Sequence, residues 1–242
     1  CIVNHKINAL QITPSRLNQL LELDIDSINN LKILLVGGES LTQHNYEHLK
    51  ERTATKVINV YGPTETTIWS TCLDVQKSTS LSIGKPLLNE KIFILNQEDK
   101  LSSIGVVGEI CISGDGLARG YLNKPELTAE KFVSNPFREG ERMYKTGDLG
   151  RWLPDGNIEF IGRKDEQVKI RGYRIELGEI ENVLYNHQDI DSAVVVAKPN
   201  KSVEKELVAY IVSQQPLNIS DIRTYLSKSL PVYMLPSHYV QL

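Results

Sequence analysis

The sequence has few cysteines and no long hydrophobic run. Its 242 residues include only three cysteines, Cys1, Cys72 and Cys111, and their spacing fits neither a metal site nor a disulfide framework, which suits a reducing cytoplasm. No apolar stretch approaches the roughly 20 residues that a membrane-spanning helix requires, and no signal peptide is visible. These absences predict a cytoplasmic protein without a membrane partner.

An excess of charge of one sign is also lacking. The chain has 27 Lys and Arg against 30 Asp and Glu, a net charge of −3, so nothing in its electrostatics favours nucleic acid as a partner. Hydrophobic residues make up 40% and charged residues 24%, which is ordinary for a globular protein of one large or two modest domains. Because the first residue is Cys1 rather than methionine, we expect a piece of a longer protein.

The first part of the chain alternates apolar runs with helical patterns. Thr13-Pro14-Ser15 predicts a helix start, with threonine as the N-cap and proline in the first turn. Residues 32–36 (KILLV) and 56–60 are typical of buried strands, and a helix is predicted between them, from about Leu41 to Arg52. Strand, helix and strand in this order predict a parallel βαβ layer.

Beyond about residue 73, short strands and glycines predominate. Strands predicted at residues 91–95 and 108–113 are typical of a distorted barrel or an antiparallel sheet. The charged break at residues 162–166 predicts a boundary between domains. After it, the order strand, helix, strand, strand, helix predicts a small α+β domain, whose last helix would have Ser220 as its N-cap.

Residues 56–70, KVINVYGPTETTIWS, combine a strand with polar chemistry at its end. A glycine–proline pair ends the strand, and an aromatic ring, several hydroxyls and a carboxylate follow. Open α/β sheets bind ligands at the carboxyl ends of their strands, so we interpret this stretch as a nucleotide site. Tyr61 would stack on a base and Glu65 would hold a divalent cation shared with phosphates. The alternative is a helix start capped by Thr64 or Thr66.

Three further stretches can be interpreted either as part of a functional site or as purely structural segments. Gly37-Gly38-Glu39-Ser40 allows a ligand to approach the backbone, or forms a simple turn. Thr146-Gly147-Asp148 presents a carboxylate that can accept two hydrogen bonds from a ribose, or is only a turn. Residues 167–176 predict a charged hairpin, which is usually a solvated edge.

These stretches together resemble the amino-acid adenylation domains of nonribosomal peptide synthetases, members of the adenylate-forming, AMP-binding superfamily. The matching motifs are YGPTETT at 61–67, GLARGYL at 116–122, YKTGDLGRW at 144–152, QVKIRGYRIE at 167–176 and LPVYMLP at 230–236. The resemblance implies a mixed α/β and α+β fold. Residues 1–164 would be the rear of the large domain, which contains a mixed sheet and a distorted β-barrel. Residues 165–242 would be a small, mobile α+β subdomain. The latter would be truncated before the family's terminal lysine motif.

The resemblance also implies site residues. It places ATP or AMP against Gly38, Glu39, Asn59, Tyr61, Gly62, Thr64, Asp148 and Arg163. It implies a substrate pocket, mostly apolar and uncharged, lined by Gln11, Leu35, Gly37, Val60, Ile68 and Trp69. Catalytic roles fall to Thr64, Glu65 and Arg163, with Glu65 ligating Mg²⁺. Asp148 would hold the ribose hydroxyls, and Asp165 would be the hinge.

The implied reaction activates an amino acid with ATP to an aminoacyl-AMP and then transfers it to the phosphopantetheine thiol of a peptidyl carrier domain. A condensation domain would be a neighbour in the same assembly line. The family's phosphate loop, the aspartate that holds the substrate's amino group and the late lysine lie outside residues 1–242, so the segment alone is predicted to be inactive. The alternatives are a non-catalytic docking or structural segment, or a related ligase similar to acyl-CoA synthetases.

Overall fold

The computed structural model describes residues 2–23, 25–200 and 205–242. The chain divides into two units, Cys1–Asp165 and Glu166–Leu242. Each unit has a hydrophobic core of its own.

The first sheet of the first unit has five strands in the order β1–β2–β3–β4–β5. They are β1 (Ala9–Ile12), β2 (Ile33–Gly37), β3 (Lys56–Tyr61), β4 (Thr71–Asp74) and β5 (Lys85–Pro86). Strands β1, β2 and β3 are parallel, whereas β4 and β5 are antiparallel to their neighbours. The parallel strands are connected through α1 (Pro14–Leu23), a 3-10 helix (Ile25–Asn30) and α2 (Gln43–Arg52). The predicted parallel layer is thus confirmed.

Helix α1 begins where the Thr-Pro-Ser sequence predicts, and a side chain from another part of the chain bonds its first turn. The backbone N–H of Ser15 donates to Oε2 of Glu39 at 2.9 Å, and the Ser15 hydroxyl donates to the same oxygen. Oγ1 of Thr13 is buried and has no hydrogen-bond partner among the described residues. Thr13 is therefore at the predicted N-cap position, and its carbonyl oxygen accepts a hydrogen bond from the Leu17 backbone N–H at 2.9 Å. The side chain that satisfies the helix terminus, however, is a carboxylate from the loop after β2.

The second sheet of the first unit is antiparallel, in the order β10–β9–β7–β6, with β8 paired to β9. Its strands are β6 (Glu90–Leu95), β7 (Gly108–Gly114), β8 (Phe132–Ser134), β9 (Arg142–Trp152) and β10 (Ile158–Arg163), and α3 (Pro125–Lys131) precedes β8. Ile158 also forms a bridge with Gly84, beside β5. This bridge connects the two sheets of the unit.

The Thr146-Gly147-Asp148 stretch is part of a strand rather than a turn between elements. It lies inside β9, where Gly147 has a φ of +74°. The register between β7 and β9 shifts at the same place, so these residues bulge out of the ladder. β-Bulges re-aim side chains and occur near sites, and this one places Asp148 without ending the strand.

The second unit is an α+β domain. A hairpin of β11 (Val168–Ile170) and β12 (Tyr173–Ile175) precedes a sheet of β13 (Ser192–Pro199), β14 (Lys205–Val212) and β15 (His238–Gln241). Helices α4 (Leu177–Tyr185) and α5 (Ile219–Ser227) pack Ile180, Leu184, Ile222 and Leu226 into its core. The predicted hairpin and α+β pattern are confirmed.

Two details of the second unit differ from the sequence-based expectation. Strand β15 pairs in parallel with β14 and was not predicted, because four residues give too short a pattern to recognise. The N-cap of α5 is Asn218, whose Oδ1 accepts a hydrogen bond from the Ser220 backbone N–H at 3.0 Å. Ser220 itself was predicted to be the cap, and that prediction is wrong by two residues.

The helices of the described residues are short. The longest, α1 and α2, have 10 residues each, and no helix in the described ranges is long and apolar enough to cross a membrane.

Close packing at the junction between the two sheets predicts that substitution of Gly84 lowers the free energy of unfolding. A Cβ at Gly84 would lie 1.8 Å from the Cys72 carbonyl oxygen, whereas a Cβ at Gly105 would have nothing within 4 Å. Both glycines have similar positive φ values, +79° and +84°, so both alanine variants incur about 1–2 kcal/mol of backbone strain. We expect Gly84→Ala to lower the free energy of unfolding by roughly 2 kcal/mol more than Gly105→Ala, because only the former also overpacks.

Urea unfolding followed by tryptophan fluorescence measures this difference. The two tryptophans, Trp69 and Trp152, both belong to the first unit, so the signal reports on that unit. Equal destabilisation by the two variants would contradict the close packing at Gly84.

Candidate functional site

The centre of the site is a hydrogen bond between the two sheets of the first unit. The Tyr61 hydroxyl, at the end of β3, donates to Oδ2 of Asp148 in β9 at 2.5 Å, and both residues are buried. These are the residues predicted to contact the adenine and the ribose of a nucleotide. The fold therefore brings them together although 87 positions separate them in the chain.

The second oxygen of the Asp148 carboxylate is bound by an arginine. Nη1 of Arg163, at the end of β10, donates to Oδ1 of Asp148 at 2.8 Å and to the Thr146 carbonyl oxygen at 3.2 Å. The backbone N–H of Asp148 donates to Oγ1 of Thr146 at 2.9 Å. Donors thus fix both carboxylate oxygens and the local backbone, and charge-assisted bonds of this kind are the strong ones.

The tyrosine of this network remains a neutral donor. Burial, followed by the charge of Asp148 and the hydrogen bond to it, holds the pKa of Tyr61 well above its ordinary value. The phenol is therefore protonated at neutral pH. Its ring also lies against Phe160 of β10, with 6.1 Å between the ring centroids, so Tyr61 contributes both an aromatic face and an O–H group.

Arg163 connects this network to the junction of the two units. Its Nε and Nη2 donate to the two oxygens of Asp165 at 2.6 and 2.7 Å. Asp165 is the last residue of the first unit, and it is the predicted hinge. One guanidinium therefore binds the carboxylate of the candidate ribose site and the carboxylate at the junction, using its planar fork for both.

Glu65 lies in a short turn after β3, not at the start of an α-helix. The segment Thr64–Thr66 forms one 3-10 turn that follows Pro63, and β4 begins at Thr71. The alternative of a helix capped by Thr64 or Thr66 is therefore wrong, because the Gly-Pro break is followed by a returning strand. The turn buries Glu65 and leaves Thr64 exposed.

The Glu65 carboxylate is the candidate ligand for a divalent cation. Its Oε1 accepts a hydrogen bond from the Tyr121 hydroxyl at 2.7 Å. Carboxylate oxygen is the donor type that Mg²⁺ prefers, so the residue fits the predicted role. No group of three or more His, Cys, Asp or Glu side chains within the described ranges could hold a metal.

The remaining candidate nucleotide-site residues are engaged with the protein itself. Nδ2 of Asn59 donates to the Ser82 carbonyl oxygen at 2.8 Å, and the carboxylate of Glu39 binds Ser15 as described above. Gly38 has a φ of +90°. A Cβ at Gly62 would lie 2.5 Å from the Ile68 carbonyl oxygen, so this glycine lets the chain pack against the segment that leads into β4.

Four of the predicted pocket residues share one face of the first sheet, whereas Ile68 and Trp69 lie between β3 and β4. The register pairs Gln11 with Leu35 and Gly37 with Val60, and directly paired residues point to the same side. A Cβ at Gly37 would lie 2.6 Å from Cγ2 of Val60 and 3.0 Å from Cη2 of Trp69. Gly37, Val60 and Trp69 therefore meet.

The other pocket candidates are less enclosed. Gln11 is exposed and Leu35 is half-buried. Ile68 has 57% of its surface exposed and a φ of +81°.

Sequence reasoning missed three residues of the site. Tyr121 bonds Glu65, Thr146 holds the Asp148 backbone, and Phe160 contacts the Tyr61 ring. Tyr121 ends the GLARGY stretch and Thr146 precedes Gly147 in the YKTGDLGRW motif, so membership of these motifs is a signal that could have identified both residues. Phe160 follows a hairpin turn and has no polar signal.

The structure describes two of the three cysteines. Cys72 and Cys111 are free thiols, and burial raises the pKa of Cys111 to about 12, so this thiol is unreactive at neutral pH. Cys1 lies outside the described residues.

Two family models match the chain. The model of AMP-binding enzymes matches residues 1–122, and the model of the AMP-binding enzyme C-terminal domain matches residues 179–242. The first match covers half of the chain.

Curated relatives and solved structures agree with these matches. The chain is 47% identical to gramicidin S synthase 2 of Aneurinibacillus migulanus over 244 residues, which covers 100% of the chain but 6% of that protein. It is 51% identical to tyrocidine synthase 3 of Brevibacillus parabrevis over 217 residues, 88% of the chain and 3% of that protein. The chain thus spans a small fraction of the relatives it matches.

Two solved structures have the same fold. One is holo-PA1221, an NRPS protein containing adenylation and PCP domains, with a TM-score of 0.89 and 28% identity over 100% of the chain and 42% of that protein. The other is NpsA-ThdA, an artificially fused adenylation-PCP di-domain NRPS from Klebsiella oxytoca, with a TM-score of 0.86 and 26% identity over 98% of the chain and 45% of that protein. The predicted fold class and the predicted resemblance to adenylation domains are confirmed, and the chain belongs to the family of AMP-binding enzymes.

Proposed function

We propose that this chain is the rear part of an adenylation domain in a nonribosomal peptide synthetase. The whole protein would join an amino acid to ATP, giving aminoacyl-AMP and pyrophosphate, and then transfer the aminoacyl group to a carrier thiol. The observation that carries the proposal is the buried network of Tyr61, Asp148 and Arg163 at the carboxyl end of β3. Ligands of open α/β sheets bind at such ends.

The network supplies groups suited to a nucleotide. The Asp148 carboxylate can accept hydrogen bonds from both ribose hydroxyls, because each of its oxygens has two lone pairs. The Tyr61 ring offers a face for the adenine, and Gly38, Glu39 and Asn59 would line the same pocket. Arg163 adds a fixed positive charge for the ribose or a phosphate oxygen.

The adenylation step is an attack of the amino acid carboxylate on the α-phosphorus, with pyrophosphate leaving. It requires positioning of the two reactants and stabilisation of the negative charge that develops. The exposed Thr64 hydroxyl would contact the α-phosphate. When bound by Glu65 and the phosphates, Mg²⁺ would neutralise part of that charge.

The two units would correspond to the two parts of the adenylation domain. We assign residues 1–164 to the rear of the large domain and residues 165–242 to the small subdomain, with Asp165 as the hinge. The division of contacts next to Asp165 supports this assignment. In the thioester-forming pose, residues 169–173 would face the phosphopantetheine arm of the carrier.

The proposed setting is a cytoplasmic assembly line. A peptidyl carrier domain and a neighbouring condensation domain would be the partners, and neither nucleic acid nor a membrane would be one. The adenylation-PCP proteins with the same fold support the carrier as a partner.

Sequence identity favours a peptide synthetase over a CoA ligase as the function of the whole protein. The fold is also similar to o-succinylbenzoate CoA synthetase from Bacillus subtilis, with a TM-score of 0.89 at 26% identity. Sequence identity is much higher to the peptide synthetases, at 47% to gramicidin S synthase 2. A purely structural segment would not need a buried Tyr61–Asp148–Arg163 network, whose desolvation is costly.

Replacement of Asp148 tests the nucleotide site. In the full-length protein, we expect Asp148→Ala to lower amino-acid-dependent ATP–pyrophosphate exchange at least about a hundredfold, since the ribose loses its acceptor and Arg163 loses a buried partner. Asp148→Asn, which keeps the shape and one acceptor oxygen, should retain more activity. Asp155→Ala, in the distant hairpin turn, is the control. An exchange rate of Asp148→Ala within a few-fold of that of the unmodified protein would contradict the assignment of Asp148 to the ribose site.

Two substitutions at Asp165 test the hinge. Asp165→Ala removes the ion pair with Arg163, whereas Asp165→Pro removes it and also fixes φ. We expect the alanine variant to affect the adenylation and thioester half-reactions similarly, and the proline variant to affect them unequally, because only one pose would be accessible. The two half-reactions are measured by pyrophosphate exchange and by loading of the carrier. An equal loss of both in the proline variant would argue against a hinge at this residue.

A panel of amino acids tests the substrate pocket. Gly37, Val60 and Trp69 offer no charge that could pair with an ion, and an unpaired buried charge costs several kcal/mol. We expect the full-length protein to reject Asp, Glu, Lys and Arg by at least roughly a hundredfold relative to its best substrate. Trp69→Ala should admit bulkier side chains, and Trp69→Phe should do so less. An acidic or basic best substrate would show that this pocket is wrongly placed.

A further inference from the structure

One loop of the first unit contacts Glu65 and has no role in the function proposed above. We call residues 114–121 the clamp loop. The backbone N–H of Ala118 donates to the Glu65 carbonyl oxygen at 2.8 Å. The Thr67 hydroxyl donates to the Gly116 carbonyl oxygen at 2.6 Å, and the Tyr121 hydroxyl donates to Oε1 of Glu65 at 2.7 Å. The loop therefore holds both the backbone and the carboxylate of the Glu65 turn.

The clamp loop is itself anchored to the second sheet. Nη1 and Nη2 of Arg142, at the start of β9, donate to the carbonyl oxygens of Arg119 and Ala118, each at 3.1 Å. The backbone N–H of Gly116 donates to Oε1 of Glu90, at the start of β6, at 3.0 Å. Because residues of two strands anchor the clamp loop, the loop can hold the Glu65 side chain in one orientation.

The Tyr121 ring is held by other aromatic rings. Phe132 packs against it edge-on, with 5.5 Å between the ring centroids, and Phe132 also packs against Tyr144 at 5.0 Å. The Tyr121 hydroxyl lies 3.4 Å from the Tyr144 hydroxyl. Burial, followed by the hydrogen bonds to Tyr144 and Glu65, raises the pKa of Tyr121. The phenol is thus a protonated donor at neutral pH.

We propose that Tyr121 is a positioning residue that orients the Glu65 carboxylate toward the divalent cation of the bound nucleotide. This inference rests on the proposed function, which gives Glu65 the cation. A free carboxylate must lose rotational freedom when it ligates a metal, and an O–H donor fixed on one of its oxygens removes much of that freedom beforehand. Carboxylates that ligate metals are commonly hydrogen-bonded in this manner, and loss of the supporting group typically lowers metal affinity 10–100-fold.

The test is the gain in ATP affinity that Mg²⁺ produces in the full-length protein without an amino acid. Calorimetry gives the Kd of ATP with and without Mg²⁺, and the ratio of the two values measures the contribution of the cation. In Tyr121→Phe, which deletes only the hydroxyl, we expect this ratio to fall about tenfold. The Kd without Mg²⁺ should stay within about twofold. In pyrophosphate exchange, the Mg²⁺ concentration for half-maximal rate should rise about tenfold, and saturating Mg²⁺ should restore kcat.

Tyr46→Phe is the matched control. Its hydroxyl is also in the first unit and bonds to Ser78 rather than to Glu65, so the Mg²⁺ ratio should not change. Thr67→Val is a second, milder variant that loosens the clamp loop by removing one hydrogen bond, and it remains informative if Tyr121→Phe does not fold. It should lower the ratio about two- to threefold. An unchanged ratio in both folded variants would overturn the inference.

Glu65→Gln separates failure of this inference from failure of the proposed function. If Glu65→Gln abolishes the Mg²⁺ effect and Tyr121→Phe leaves it intact, Tyr121 has no positioning role, although Glu65 still binds the cation. If Glu65→Gln leaves the Mg²⁺ effect intact, the cation is bound elsewhere and both statements are wrong. A fall in both variants, larger in Glu65→Gln, is the expected result.

Discussion

The buried carboxylate of Asp148 is the constraint on which the first unit depends. A carboxylate that is 5% exposed is tolerable only when its oxygens are bonded, and here a hydroxyl from Tyr61 and a guanidinium from Arg163 bind them. These partners belong to strands of different sheets, so satisfying the charge also fixes one sheet against the other. Removal of one partner from such a buried pair typically costs 3–5 kcal/mol. The interaction that would bind a ribose is therefore also one that stabilises the fold.

The same arrangement recurs at the other acidic residue of the site. Glu65 is buried in a turn and bonded by Tyr121 from the clamp loop, much as Asp148 is bonded by Tyr61. In both cases a tyrosine whose pKa is raised by burial donates to a carboxylate. Arg163 extends the first network to Asp165 at the junction of the units. The candidate ribose site and the junction are thus connected by hydrogen bonds that the protein forms itself.

Local sequence signals predicted the elements well and the contacts between them poorly. The β-branched run of β3 and its Gly-Pro stop define the strand and the turn that holds Glu65, and both were predicted. The capping of α1 by Glu39 was not, because the carboxylate comes from 24 positions along the chain. The meeting of Tyr61 with Asp148 was inferred from the family resemblance alone. Tyr121 was missed because its role depends on a hydrogen bond to Glu65, which is 56 positions away in the sequence.

A crystal structure of the full-length protein with AMP would test the central claim most directly. We expect both ribose hydroxyls to lie within hydrogen-bond distance of the Asp148 carboxylate, with the adenine against the Tyr61 ring and Arg163 facing the ribose or phosphate. AMP bound at another position, with the ribose away from Asp148, would contradict it. The distance from the ribose O2′ and O3′ atoms to Oδ1 and Oδ2 of Asp148 is the measurement that decides between the two results.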